Sequence, residues 1–438
     1  MSLHPESKIF GLMQIPTCDI DCAGTDPEAL NRRCGCAVVD IDQLRHTLEA
    51  ALPGMGAIDP VRHAHLFSPH ALFVDRDALD AMSSVAEAVF RVARHPRYVE
   101  HVLRHSPEIA RRDPCSAGGT LGLDFHLTVE GPRLIEINTN PGGLLLNAFL
   151  LDAVHSCTPV AWAPLATGAA AQEAGVSAWL EDAQRQLGRM PRRMAIVDVA
   201  PREQFLYPEF ELYRQAFQAR GIDTVIRAPE ELIHDRNGLR DADGPVDAIY
   251  NRLTDFALRE PACQPLATAY LAGSIALTPH PRAHAVYADK RNLAVLDAPQ
   301  LLESYGIDAS TANLLAKAIP STVELTAENR DALWAARDHY FFKPASGYGS
   351  RGSYRGDKVT RRTWEAMASA AYVAQAFAPP SVRIPHADIT LKADVRCFAS
   401  EAGTLLFAAR LYQGQTTNMR TAHGGFAAVL TSHEARVP

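Results

Sequence analysis

Apolar and polar residues alternate on both sides of Glu130-Gly131-Pro132, within residues 121–147 (LGLDFHLTVEGPRLIEINTNPGGLLLN). A period of two predicts strands whose successive side chains face opposite ways, and the Gly-Pro pair predicts a tight turn between them. The second run ends in a Gly-rich bend that leads into an apolar helix over residues 144–154. Upstream, Leu79, Met82, Val85, Val89, Val92 and Ala93 recur at helical spacing, which predicts a long amphipathic helix over residues 77–95. Pro96 ends or kinks it, and a second helical piece runs to Arg104. Residues 38–50 begin strand-like and turn helical, and an Ala-rich helical stretch reaches Leu187.

The pattern changes at residues 188–193 (GRMPRR), a composition shift that predicts a domain boundary. RMAIVDVA reads as a buried parallel strand, EFELYRQAFQARG as a helix ending at Gly221, and DTVIRA and VDAIYNRL as further strands. This β-α-β alternation implies a small doubly wound domain. It lacks G-x-G-x-x-G, so dinucleotide binding has no support. Tyr250, Asn251 and Arg252 fall at a strand's C-terminal end, where ligands of open α/β sheets bind. Arg252 is a candidate carboxylate clamp; a surface ion pair is the other reading.

Charge and composition narrow the function classes. The 438 residues carry 43 basic and 50 acidic side chains, a net charge of −7, which argues against nucleic acid as the main partner. No apolar run reaches the roughly 18 residues a membrane span needs. The N-terminus has no charged n-region followed by a long apolar stretch, so a cytoplasmic location is expected. Cys18, Cys22, Cys34 and Cys36 cluster within a short span. Four thiolates could hold Zn²⁺ or an iron–sulfur cluster; metal-free loop thiols are the other reading. His63, His65 and His70 are expected to be structural.

Candidate chemistry sits in three stretches. Glu136 and Asn138 are two apart and share a strand face, and Asp124 lies across the turn. If the register brings it to that face, three oxygen-bearing side chains converge, a donor set that suits Mg²⁺. In YFFKPASGYGSRGSYR, residues 340–355, an apolar strand carries Lys343. A loop follows with Gly347, Gly349 and Gly352, flanked by Ser346, Ser350 and Arg351. Backbone N–H groups, hydroxyls and a point charge suit phosphate oxygens, although the order is not that of a P-loop. Near the C-terminus, Asp394 and Arg396 share one strand face, and Arg410 and Tyr412 share another.

Together these stretches resemble the ATP-grasp superfamily, whose members include glutathione synthetase and D-alanine ligase. The resemblance covers roughly residues 60–430. Family order places the lid first, then D-x-R, then E-x-N; here E-x-N comes first. The chain therefore resembles the circularly permuted ATP-grasp proteins related to glutathione synthetase. The implied fold is α/β (α+β ATP-grasp), with two ATP-grasp subdomains in permuted order plus a Rossmann-like parallel-sheet domain. Residues 1–187 would hold an N-terminal extension and the metal-binding part of the large subdomain. Residues 188–286 would form the substrate domain, 287–378 the lid, and 379–438 the remainder of the large subdomain.

The same resemblance implies site roles. Asp124, Glu136 and Asn138 would hold Mg²⁺. Lys290, Lys343 and the loop residues Ser346, Gly347, Gly349, Ser350 and Gly352 would bind ATP phosphates, and Gln375 would mark the adenine hinge. Arg396 and Arg410 would stabilise acyl phosphate oxygens, with Asp394 orienting Arg396 or adding a metal contact. Arg252, Asn418, Gly424 and Gly425 would meet substrate. The implied activity is an ADP-forming carboxylate–amine ligase acting through an acyl phosphate on a small amino-acid or peptide-like substrate. A phosphotransferase is the alternative, and a non-catalytic nucleotide-binding protein a third reading. Expected partners are a small-molecule acid and amine, with no nucleic acid and no membrane; the oligomeric state is open, with a homodimer one option.

Overall fold

The structure, a computed structural model, describes residues 26–52, 58–59, 61–155, 162–347, 352–415, 417 and 421–432. Both ends of the chain build one large sheet. Its strands run in the order Leu72–Phe73, Gly425–Ser432, Gly403–Tyr412, Ile389–Ser400, Leu121–Thr128 and Gly131–Asn138. Ser381–His386 pairs with Ile389–Ser400, and Trp162–Ala163 with Gly425–Ser432. The expected hairpin is present, and its first strand lies antiparallel to Ile389–Ser400, with Arg396 opposite Asp124.

Period-two patterning divides this sheet between two cores. Val395, Cys397, Ala399, Ala409, Leu411 and Val429 face the helix Arg76–Ala93 and its Leu79, Met82, Val85 and Val89. Phe398, Leu406, Ala408, Phe426, Ala428 and Leu430 face the helices Leu144–Asp152 and Gly168–Leu187. Alternation puts Asp394, Arg396 and Arg410 on this second face, beyond the apolar patch. Pro96 acts as expected: the long helix ends at Ala93, and a new one, Pro96–Leu103, starts with proline in its first turn, where the missing N–H costs nothing.

A second sheet of four parallel strands runs in the order Ala276–Thr278, Ala248–Asn251, Arg193–Val197 and Asp223–Arg227. The strand Ala276–Thr278 and the small hairpin Ile233–Asp235/Gly238–Arg240 escape a sequence reading because three residues show no period. A third, antiparallel sheet orders Thr322–Glu324, Tyr372–Ala376, Tyr340–Pro344 and Tyr354–Arg355. Its core is Phe342 packed edge-on against Trp364 of the helix Arg361–Ala368. Among the described residues, no helix is long and apolar enough to cross a membrane.

The cysteine-cluster expectation gains no support. Cys34 and Cys36 are buried in apolar core, and among the described residues no group of three or more His, Cys, Asp or Glu side chains gathers as for a metal. Cys18 and Cys22 lie outside the described residues. Two of the three histidines do have structural partners. His63 bridges the Asp59 amide and the Phe205 carbonyl, and the His70 Nδ1 meets the Cys36 carbonyl.

The N-terminal helix Pro27–Arg33 is stapled to the large sheet by Arg383. This side chain is 0 % exposed. It donates to the carbonyls of Ala71 (2.8 Å), Asn31 (3.2 Å) and Cys34 (2.6 Å). Each buried acceptor stranded by its loss costs roughly 1–3 kcal/mol. Arg383→Ala is therefore expected to lower stability by about 3 kcal/mol or more. Arg383→Lys should recover only part, because an ammonium cannot match the planar fork. Urea unfolding of both variants against wild type checks this; a midpoint unchanged by Arg383→Ala would refute the staple.

Candidate active site

The hairpin register sets Asp124 directly opposite Glu136 and Gly122 opposite Asn138. The three expected oxygen donors therefore do converge, and the Asn138 Nδ2 donates to Asp124 Oδ2 at 3.1 Å. Every charge here is balanced by one from a distant part of the chain. Arg396 grips Asp124 through two bonds, Nε to Oδ1 at 2.6 Å and Nη2 to Oδ2 at 2.8 Å. Arg410 reaches the same carboxylate at 2.8 Å. Lys290 pairs with Glu136 at 3.1 Å and also donates to the Gly347 carbonyl at 3.2 Å.

Burial alone would raise both carboxyls. At Asp124 the two guanidinium groups outweigh it and hold the group at about 2. At Glu136, Lys290 and Lys343 outweigh it and leave the carboxyl below its ordinary value. Removing one partner from such a buried network costs about 3–5 kcal/mol, because a charge is left alone.

Asp394 holds Arg410, not Arg396: Arg410 Nε donates to Asp394 Oδ1 at 2.7 Å. Geometry explains this correction. Asp394 and Arg410 are direct cross-strand partners, whereas Asp394 and Arg396 stand two residues apart along one strand, roughly 6–7 Å at ordinary strand rise.

Lys343 points from the third, antiparallel sheet to the hairpin. Its ammonium donates to the Ile135 carbonyl (2.7 Å) and to Gln375 Oε1 (2.8 Å). Burial lowers it to about 8, against the pull of Glu136. Gln375 also donates to Thr322 Oγ1 at 3.3 Å, so its side chain positions Lys343 at the edge of the first cavity. Ser346 is exposed. Gly352 adopts φ 70° and its carbonyl accepts from the Tyr372 hydroxyl at 2.9 Å. Gly349, Ser350 and Asn418 lie outside the described residues.

Two cavities meet at this network. The first is lined by Asp124, Lys290, Lys343, Gln375, Ala376, Ala378 and Arg410, between the lid sheet and the large sheet. The second, of about 300 Å³, lies against the Rossmann-like sheet and includes Asn138, Asn140, Asp198, Arg252 and His284. Glu136, Lys290 and Gly347 belong to both. Arg252 thus joins the site as expected; its Nη1 donates to Asn140 Oδ1 at 2.5 Å. Gly424, Gly425 and Arg396 line neither of these two cavities. A side chain at Gly425 would strike the backbone of His65 and Phe67, so close strand packing accounts for this glycine.

The bend after the hairpin is built by two glycines. A Cβ at Gly143, which has φ 101°, would run into the Phe426 ring, and one at Gly142 into Leu206. Glu209, on the helix Tyr207–Gln218, then accepts from the Gly143 and Leu145 amides at 2.8 and 3.1 Å. It caps the helix Leu144–Asp152 and satisfies otherwise orphaned N–H groups. Asp198 and His284 were not foreseen. Asp198 follows the apolar strand in RMAIVDVA, and its position just past a parallel strand was a usable signal. His284 carried none.

No family model matches the sequence, and no curated protein matches it. Among solved structures, the chain is similar to a glutathione synthetase-like effector from Globodera pallida in its apo form. The TM-score is 0.53 at 12% identity, covering 83% of this chain and 89% of that one. A candidate gamma-glutamylcysteine synthetase from Methylobacillus flagellatus KT gives a TM-score of 0.48 at 11% identity, covering 82% and 89%. The ATP-grasp ligase PsnB with its minimal precursor gives 0.33 at 12%, covering 56% and 77%. With a lysine-bearing antiparallel sheet packed beside a carboxylate hairpin, the chain shares the overall fold of the glutathione synthetase-like effector.

Proposed function

We propose that this protein is an ATP-dependent, ADP-forming carboxylate–amine ligase working through an acyl phosphate on a small amino-acid or peptide-like substrate. The observation that carries this is the pair of cavities joined at Glu136, Lys290 and Gly347. One has the cations and oxygen donors a triphosphate needs; the other has a buried arginine suited to a carboxylate. The order of the stretches, hairpin first and lid later, is read as a circular permutation. On this reading the Rossmann-like unit presents the substrate and residues 287–378 form the lid.

Glu136 and Asn138 fit Mg²⁺ by donor chemistry, a carboxylate and an amide oxygen on one rigid hairpin, and Asp124 would join them by giving up a bond to Arg396 or Arg410. Bound there, the metal would neutralise charge on the transferring phosphoryl group. The protein's own groups do the rest. Lys290 and Lys343 hold phosphate oxygens, exchanging their present partners for them. Arg410 lines the first cavity, and Arg396 stands beside it on the same Asp124 carboxylate; on this reading the two guanidinium groups stabilise oxygens of the acyl phosphate. The lid excludes water, which would hydrolyse that intermediate.

One observation favours a phosphotransferase instead. Asp198 places a carboxylate in the second cavity, where it could take a hydroxyl proton. Hydroxylamine separates the two. A ligase forms an electrophilic acyl phosphate, so a hydroxamate appears, with ADP and phosphate released together. Transfer of the γ-phosphate to a stable product, with no free phosphate and no hydroxamate, would overturn the ligase.

Two more outcomes follow from the site. Glu136→Ala is expected to abolish ATP turnover while the far-ultraviolet circular dichroism is kept, and Asn138→Ala to lower it less. Full turnover by Glu136→Ala at saturating magnesium would remove Glu136 from the site. For Lys343, phosphate favours the protonated amine, and its value lies near 8. Affinity for ADP should therefore fall severalfold as pH rises from about 7 to about 9.5, and Lys343→Arg should flatten the decline because a guanidinium stays charged. Calorimetric titration across that range checks the slope; equal slopes in both proteins would count against Lys343.

A further inference from the structure

The four-stranded parallel sheet reverses its winding at one place. The first strand in the chain, Arg193–Val197, has the second, Asp223–Arg227, on one side and the third, Ala248–Asn251, on the other. Loops leaving the first and third strands part in opposite directions and open a crevice at their carboxyl ends. The residue that leaves the first strand is Asp198, and the one that leaves the third is Arg252. Both line the second cavity.

These opposite charges face one space without closing on each other. Arg252 is only 8 % exposed. Its Nη1 donates to Asn140 Oδ1 (2.5 Å) and to the Tyr250 hydroxyl (3.3 Å), but its Nε is shut away from water with no partner. Asp198 accepts the Val199 amide at 2.8 Å. Burial raises its carboxyl to about 6, and Arg252 pulls against that. Among the described residues, no ion pair within 4.0 Å joins the two. The buried Glu209 carboxylate also balances Arg252, whereas Asp198 has no cation within 4.0 Å among the described residues. An open pair of opposite charges, with a donor left unsatisfied, fits a ligand that brings one charge for each.

We infer that Asp198 and Arg252 together recognise a zwitterion, a free amino acid or an amine-bearing carboxylate of similar span, with its carboxylate at Arg252 and its ammonium at Asp198. Phe205, Leu206 and Phe210 give the apolar wall of the same space. His284 adds a third polar position. Its ring stacks on Phe256 with centroids 3.8 Å apart and planes 8° apart, and both its nitrogens lack a partner. The inference rests on the ligase reading for its use of the cavity, and it narrows that reading's amino-acid or peptide-like substrate to one with a free ammonium and a free carboxylate held by these two residues.

The test uses the full chain with Mg²⁺ and ADP, titrated by calorimetry with the common L-amino acids, each beside its N-acetyl and its carboxamide derivative. At least one free amino acid should bind. Blocking either end should weaken it on the order of ten- to a hundredfold, the loss of one charge-assisted hydrogen-bonded contact. Asp198→Asn, nearly isosteric and only half-buried, should erase the preference for the free amine and keep that for the free acid. Arg252→Gln should do the reverse. The inference falls if no amino acid binds, if the N-acetyl forms bind as tightly as the free ones, or if Asp198→Asn still discriminates against them. Because Arg252 is buried, Asp198→Asn alone decides if Arg252→Gln does not fold. Failure of the ligase reading looks different: the binding contrasts persist while hydroxylamine traps nothing.

Discussion

The Asp124 carboxylate is the point on which this architecture depends. It comes from the N-terminal half of the chain, and the two guanidinium groups that hold it come from residues 396 and 410. A buried charge is tolerable only if paired, so the hairpin can sit in the sheet only when Ile389–Ser400 and Gly403–Tyr412 are beside it. Assembly of the sheet and assembly of the site are therefore one event. The arrangement also keeps the carboxylate ionised, which is the form a hard cation requires.

Much of this was legible in the sequence, and the reason is local. The hairpin announces itself by alternation and turn chemistry, and Glu136 and Asn138 share a face by parity alone. Lys343 and the glycines after it stand out in a single stretch. What could not be read is which distant charge meets which. Lys290 opens a short helix, and nothing in its neighbourhood says that it will reach Glu136. Asp394 sits two residues from Arg396 in sequence yet bonds Arg410, because cross-strand neighbours are closer than same-strand ones. Nor does anything near Gln375 in the sequence say that its amide will meet Lys343 and Thr322.

The link between the hairpin and the Rossmann-like sheet runs through glycine and glutamate. Gly142 and Gly143 allow Leu206 and Phe426 to approach the bend, and Glu209 clamps the amides that the bend exposes. Burial raises the Glu209 carboxyl, and Arg252 is the first charge to oppose it. The side chain that caps a helix behind the carboxylate hairpin thus shares its electrostatic balance with the arginine of the second cavity. The second cavity and the hairpin's geometry are supported by the same few groups.

His63 and Arg62 hold the loop that carries Gln204, Phe205 and Leu206, through the carbonyls of Phe205 and Arg202. These two residues lie about 140 positions upstream, in a segment that lines neither cavity. The curvature of the apolar wall is consequently set from outside it. Substitutions around residue 63 can therefore reshape the cavity's wall without changing any residue that lines it.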